Sequence, residues 1–385
     1  MTHQPRFGRL ALLLVLSCGG AEHVQSSPMV DRPIAVASDA GNAVSVAVHS
    51  PFVAERVWHE GGAMGTHLGF AGYTDASHDA AALHGAFDAA IVEFKRLEAL
   101  MTTWNAASEL SRLNADHSEA IGKINPCENP RARFSPELIE VLVAAQRASA
   151  QSGGAFDVTF ETLHGLWKFD EDLDPHPPRE PLLRARLPWV GYDRLHLEPT
   201  RQCAYIVGSN TKVGLGGIAK GYAVDKAAAV IRAAGVKSFF VQAGGDLFAE
   251  GHKPDGSMWS AGIRDPRGPA GKPFASIELD SHAFSTAGDY ERSYVIGKKR
   301  YHHILDPRTG QPANKSRSVT VWAPTAFEAD AIDDAVFVMG PEKGLRYVES
   351  MPGAGAVIVD AKNRVWVSER LKGKVTLLAS PTDGV

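Results

Sequence analysis

The chain has 385 residues, 44% of them hydrophobic and 22% charged, and a formal net charge of −4. That composition excludes wholesale disorder and leaves room for one large domain or two ordinary ones. The acidic balance counts against a nucleic-acid binder, which would carry a basic excess. An acidic protein that handles a phosphate ester needs a bound cation to offset the repulsion.

At the N-terminus, Arg6 and Arg9 precede an unbroken apolar run, Leu10 to Leu16. A mature spanning helix needs about 20 apolar residues, so this short run reads as a secretory signal over residues 1–17. Cys18 follows the small Ser17, an arrangement that resembles a bacterial lipoprotein cleavage site and makes Cys18 the lipidated residue. Residues 18–54, rich in Ala, Ser, Val and Gly, read as a tether, and residues 55–380 as the folded domain. The protein is then expected to be exported and membrane-anchored, on the periplasmic face where the cell has two membranes. Export permits a disulfide between Cys127 and Cys203; two separate buried thiols are an equal alternative. No Cys-x-x-Cys pair is present, which argues against structural zinc.

Along the domain, Phe87, Ile91, Phe94 and Leu97 recur at helical spacing and predict a helix over His78–Met101. Ser135-Pro136-Glu137 is a helix start, with Gly153-Gly154 as its stop. Residues 212–226 place Gly214, Gly216 and Gly217 before an Ala-rich helix that ends at Gly235. Such a turn lets backbone N–H groups approach a phosphate, and Lys220 adds positive charge; a tight packing turn of small residues is the other reading. The match to a dinucleotide fingerprint is a decoy, because no acidic residue follows about 20 positions on. Strands are predicted at Ser238–Gln242, Ser318–Trp322 and Ala356–Val359. Gly244-Gly245-Asp246 after the first of these marks a close backbone approach or a bulge. Val295–Lys299 reads as a hairpin turn that brings Tyr290 and Tyr301 to one sheet edge. His302 and His303 then point to opposite faces, so one of them can face a pocket, as a general base or in a structural role. Asp306–Gly310 is a turn. The mixture implies an α+β fold.

Thr325 and Glu328 predict a capped helix that ends at Gly340-Pro341. It carries Asp330, Asp333 and Asp334 at spacings that share one face, while Ala335, Val336, Val338 and Met339 form an apolar face. Like charges so placed repel. Either the acidic face is solvated, or it holds a hard cation such as Mg²⁺, which prefers oxygen ligands.

Taken in order, several blocks resemble the ApbE family of FAD:protein FMN transferases. They are Met64-Gly65-Thr66, Trp104 with Ser108 to Asn114, Gly154 to Thr159, Gly216 to Asp225, Ala243 to Asp246, Ser285 to Arg292, His302 to Gly310, and Glu328 to Gly340. The resemblance implies a single catalytic domain of tunnelling-fold-like α+β type with FAD in a central cleft. It implies that Met64, Trp104, Ala155, Phe156, Asp157, Lys220 and Leu305 line the FAD site. It further implies that the Gly217 carbonyl with Asp330, Asp333 and Asp334 surrounds Mg²⁺, and that His303 is the base. The implied reaction transfers FMN from FAD to a Thr or Ser hydroxyl of an acceptor protein and releases AMP. The implied acceptors carry a D-(S/T)-G-A-(S/T)-like motif and belong to electron-transfer complexes. FAD hydrolysis and flavin binding without chemistry are the rival readings. Three positions depart from the family pattern: Gly214 stands where Asp is usual, Asp334 where Thr is usual, and Ala287 where Ser is usual.

Overall fold

Eight runs rich in β-branched and aromatic residues pair edge to edge in the order in which they occur along the chain. They are β1 (Arg56–Ala63), β2 (Thr66–Tyr73), β3 (Phe239–Ala243), β4 (Asp246–Glu250), β5 (His282–Gly288), β6 (Ser316–Ala323), β7 (Gly355–Asp360) and β8 (Val365–Val367). Every neighbouring pair is antiparallel, and the sheet stays open. This computed structural model describes residues 53–115, 126–169 and 172–384. The expected signal, Cys18 and the tether up to residue 52 lie outside the described residues. Among the described residues no helix is long and apolar enough to cross a membrane.

Alternation along the strands builds two cores. In β3, Phe239 and Val241 face the helices, and Phe240 faces the opposite layer, as the period of two requires. On the first face pack α1 (Ala80–Met101), α3 (Ala219–Ala233), α4 (Ala326–Met339) and the helix Pro341–Glu349, and α2 (Pro136–Gln151) joins the same core against α4. A three-stranded sheet, whose strands are Trp259–Arg264, Pro273–Leu279 and Val375–Leu377, covers the second face. The α+β expectation holds.

The helix boundaries follow their caps. Asp79, not His78, opens α1, its carboxylate accepting from Ala82 N. Ser135 caps α2 by accepting from Leu138 N, and Gly153 and Gly154 end it with positive φ. Thr325 accepts from Glu328 N at α4, and Gly340 (φ 76°) terminates it. The α4 N-terminus has a second acceptor that local sequence does not reveal: Asp225 of α3 takes Ala326 N and Phe327 N at 2.9 and 3.0 Å. Both predicted alternatives for the cysteines are resolved by pairing, since Cys127 and Cys203 form a buried disulfide.

One correction concerns the hairpin. Its strands are Ser293–Ile296 and Lys299–His302, so Tyr294, not Tyr290, lies opposite Tyr301, with ring centroids 5.3 Å apart. The turn is two residues long, with φ 61° at Gly297, which leaves Tyr290 outside the paired register. Tyr290 packs instead under Arg264.

Helices α3 and α4 touch where a side chain cannot fit. A Cβ on Gly221 would stand 2.2 Å from the Ala326 carbonyl oxygen and 2.7 Å from Asp330 Cβ. We expect Gly221→Ala to lower the unfolding free energy by about 1–3 kcal/mol, the cost of overpacking, read from denaturant midpoints. An unchanged midpoint would mean that the two helices are not in close contact.

Candidate active site

The contact at Gly221 sets the depth of the carboxylates on α4. Asp330 and Asp333 are 2% and 3% exposed, so the acidic face is not solvated. The structure adds a third acid that the helix pattern did not show. Asp246 opens β4 directly after the Gly244-Gly245 turn, and oxygen atoms of Asp246, Asp330 and Asp333 all lie within 4.8 Å of one another. A Cβ on Gly245 would stand 2.7 Å from the Thr286 carbonyl oxygen. The glycine therefore brings the turn against β5 and aims Asp246 inward. The only sequence signal was a Gly-Gly-Asp at a strand end, and its meaning depends on pairing across the sheet.

Lys220 answers this charge. Its Nζ lies 3.1 Å from Asp246 Oδ2 and 3.2 Å from Asp330 Oδ1, and it donates to the Gly216 carbonyl at 3.2 Å. Burial alone would push the ammonium down, but Asp246, Asp330 and Asp333 outweigh it and hold Lys220 above its ordinary value. The contact with Asp246 lacks hydrogen-bond alignment, so Asp246 Oδ2 remains a buried acceptor without a donor. Asp330 also accepts from Gly221 N at 2.8 Å.

Ser285 joins the remaining two acids. Its single hydroxyl reaches Asp333 Oδ2 at 2.6 Å and also contacts Asp246 Oδ1. One hydrogen cannot serve two carboxylates fully, so the second contact sets oxygen against oxygen until a proton or a cation offsets it. The pKa directions agree. Burial first, then Asp334, Asp330 and Asp246, raise Asp333 well above its ordinary value. Burial and then Asp246 raise Asp330 against the pull of Lys220. Asp334 is raised by burial, with Lys220 opposing. The hydroxyl near the acids belongs to Ser285. Ala287, two residues on, shares its strand face.

The other expected site residues fall into distinct places. Asp334 stands on the rim of the cluster and faces Gly217, where a Cβ would lie 2.6 Å from Asp334 Oδ2. Phe156 backs the same glycine at 3.2 Å, with Ala155 buried beside it in the chain. Asp157 is fully engaged in structure. It accepts from Thr159 N and Oγ1 and, at 2.8 Å, from Tyr192 N. It also borders a recess of about 230 Å³ that Gly154, Tyr192, Pro307 and Arg308 help to line. Met64 occupies the β1–β2 turn with φ 53°. A Cβ on Gly244 would stand 2.7 Å from Oγ1 of Thr66, the next residue but one, which puts Met64 at the same sheet end as Asp246. Trp104 is 80% exposed and stands edge-on to His164. Leu305 is half-buried in a two-residue pairing with Pro312.

The two histidines separate as alternation required. His302 is buried, and its Nε2 pairs with the Ala313 carbonyl at 2.8 Å. His303 is exposed. Although water reaches the ring, the protein packed around it still desolvates it. That term, followed by Arg292 and His302, pushes it down to about 3, and Lys220 contributes in the same direction. His303 is therefore neutral near pH 7.

Residues 64–358 match the family model described as the ApbE family. A Haemophilus influenzae protein named FAD:protein FMN transferase is 31% identical over 70% of this chain and 77% of its own length. A Treponema pallidum protein of the same name is 30% identical over 78% and 83%. Among solved structures, the ApbE protein of Thermotoga maritima superposes with a TM-score of 0.72 at 30% identity, covering 83% of this chain and 99% of that one. Flavin transferase ApbE from Vibrio cholerae gives 0.70 at 27% identity, covering 84% and 100%. The matched span runs unbroken through the glycine turn and every member of the carboxylate cluster, and the chain belongs to the ApbE family.

Proposed function

We propose that this protein is a Mg²⁺-dependent flavin transferase that moves FMN from FAD onto a Thr or Ser hydroxyl of an acceptor protein and releases AMP. The observation that carries the reading is the buried trio Asp246, Asp330 and Asp333 with Lys220 at its edge. Its donors are hard oxygens, its negative charge exceeds that of one ammonium, and Asp246 Oδ2 is a buried acceptor without a donor. Those features fit Mg²⁺. Asp246, Asp330 and Asp333 would hold the ion, with Asp334 and the Gly217 carbonyl at the rim. When bound, the ion supplies positive charge to the diphosphate and its developing negative charge.

The chain's own groups do the rest. Lys220 is the fixed cation at the start of α3, whose N-terminus favours phosphate. Neutral His303 is in the form a general base needs. It takes the hydroxyl proton of the acceptor as the oxygen bonds to the phosphorus next to riboflavin and the bond to AMP breaks. The anionic diphosphate then stabilises the imidazolium. Phe156 backs the glycine turn, and the recess beside Asp157 and Arg308 offers room for part of a nucleotide. A lipid on Cys18 would hold the domain at the outer face of a membrane. That suits acceptors in electron-transfer complexes with a D-(S/T)-G-A-(S/T)-like motif.

Incubating the purified protein with FAD, Mg²⁺ and an acceptor peptide should yield a peptide adduct heavier by one FMN less one water. Free FMN with AMP would instead identify a hydrolase, and unchanged FAD a binding protein. Asp330→Ala should abolish the adduct while the protein stays folded; retained activity would remove the cluster from the mechanism. Stability supplies an independent test. Carboxyls raised above 3.8 in the fold release their protons first in the unfolded chain, so their contribution to metal-free stability falls as pH rises from about 4 to about 7, while the depressed His302 and His303 contribute in the opposite sense. The cluster's share is therefore read as the difference between wild type and Asp333→Asn: without metal the wild-type melting temperature should fall more, or rise less, over this window than that of the variant, and saturating Mg²⁺ should shrink the difference. Metal-free profiles of the two proteins that run parallel would contradict the cluster's electrostatics.

A further inference from the structure

Gly214 lies in the loop that leads into α3, and its backbone is not in the left-handed region. A side chain here would meet no conformational barrier. What it would meet is Glu161. A Cβ on Gly214 would stand 2.6 Å from Glu161 Oε2 and 3.0 Å from Glu161 Cβ. The two segments are also stitched together, Gly214 N donating to the Val158 carbonyl at 2.8 Å and Lys212 N to Thr162 Oγ1 at 3.0 Å. This corner therefore has room for one carboxyl side chain, reached either from the loop or from the 3₁₀ turn Val158–Leu163.

Glu161 is poorly served by its own protein. Its side chain is 13% exposed, and the nearby His164 Nδ1 comes no closer to Oε1 than 3.4 Å, long for a hydrogen bond. Burial pushes Glu161 up to about 7, and Lys212 opposes this only in part. A half-buried acid at a loop that continues through Gly216 and Gly217 to Lys220, with His164 and the exposed Trp104 beside it, has the features of a group kept for a ligand.

We propose that Glu161 holds the flavin dinucleotide, accepting a hydrogen bond from one of its O–H or N–H groups through the space that Gly214 leaves open. The carboxyl beside the loop is supplied by the neighbouring turn, in the space where a side chain at position 214 would stand. This rests on the FAD reading above, and its test is affinity, not turnover.

The decisive experiment is a double-mutant cycle on FAD dissociation constants, with melting temperatures measured alongside. Glu161→Ala should weaken FAD about tenfold, the loss of one charge-assisted hydrogen bond. The near-isosteric Glu161→Gln should weaken it less, without loss of melting temperature. Gly214→Asp alone should also weaken it, because two carboxyls compete for one space. Glu161→Ala combined with Gly214→Asp should bind within about threefold of wild type, a reversal of sign that only an exchange of roles produces. If folded Glu161→Ala and Glu161→Gln both bind FAD like wild type, or if the double variant is no better than the worse single one, the inference falls. Wild-type protein that binds no FAD would overturn the functional reading as well, so the two failures are distinguishable.

Discussion

A single ammonium against three buried carboxylates is the constraint around which this molecule is arranged. Taking each ion out of water costs on the order of several kcal/mol, and good geometry with further hydrogen bonds must offset it. Lys220 supplies one countercharge, Gly221 N and Ser285 Oγ supply donors, and the raised Asp330 and Asp333 mark the negative charge that these leave unbalanced. A cluster built for stability alone would be neutral or apolar. This one is left short of positive charge in the interior, where an incoming cation gains most from it.

Four separate stretches of chain converge for that to happen, α3, the β3–β4 turn, β5 and α4, and at two of the contacts glycine permits the approach. Gly221 lets α3 lie against Ala326 and brings Lys220 beside Asp330. Gly245 lets the β3–β4 turn meet Thr286 and delivers Asp246. Ser285 sits on β5 between them, hydrogen-bonded to acids from both sides. The strictly sequential antiparallel sheet makes this convergence cheap in topology. β4, β5 and β6 are neighbours in space because they are neighbours in order, and α4 follows β6 directly.

What was legible in advance was whatever is encoded within one or two turns of chain. Ser135 before Pro136, Thr325 before Glu328 and the opposed faces of His302 and His303 are local matters of capping and alternation, and they hold. Asp246 was not legible as a partner of Asp330, because nothing near it in sequence states which helix covers that sheet end. The cap that Asp225 gives to α4, the pairing of Cys127 with Cys203 and the contact of Glu161 with Gly214 have the same character: each joins residues far apart in the chain. Tyr290 was misplaced for a different reason. The hairpin closes in two residues at Gly297-Lys298, and each residue of turn length moves the register by one partner.

The loop from Lys212 to Lys220 gathers these strands of argument. Asn114 clamps it on both sides of Val213, donating to its carbonyl at 2.8 Å and accepting from its amide at 2.7 Å. Thr162 and the Val158 carbonyl hold Lys212 and Gly214, Phe156 and Asp334 close on Gly217, and Asp330 and Asp246 hold Lys220. Groups from residues 114–162, from α4 and from the sheet thus all terminate on one short segment. These restraints fix the loop's backbone before any ligand arrives. Preorganisation of this kind is what lets a polar site act without first reorganising itself. It also explains the glycines at 214 and 217: with Glu161 and Asp334 so close, the loop has no room for side chains at those two positions.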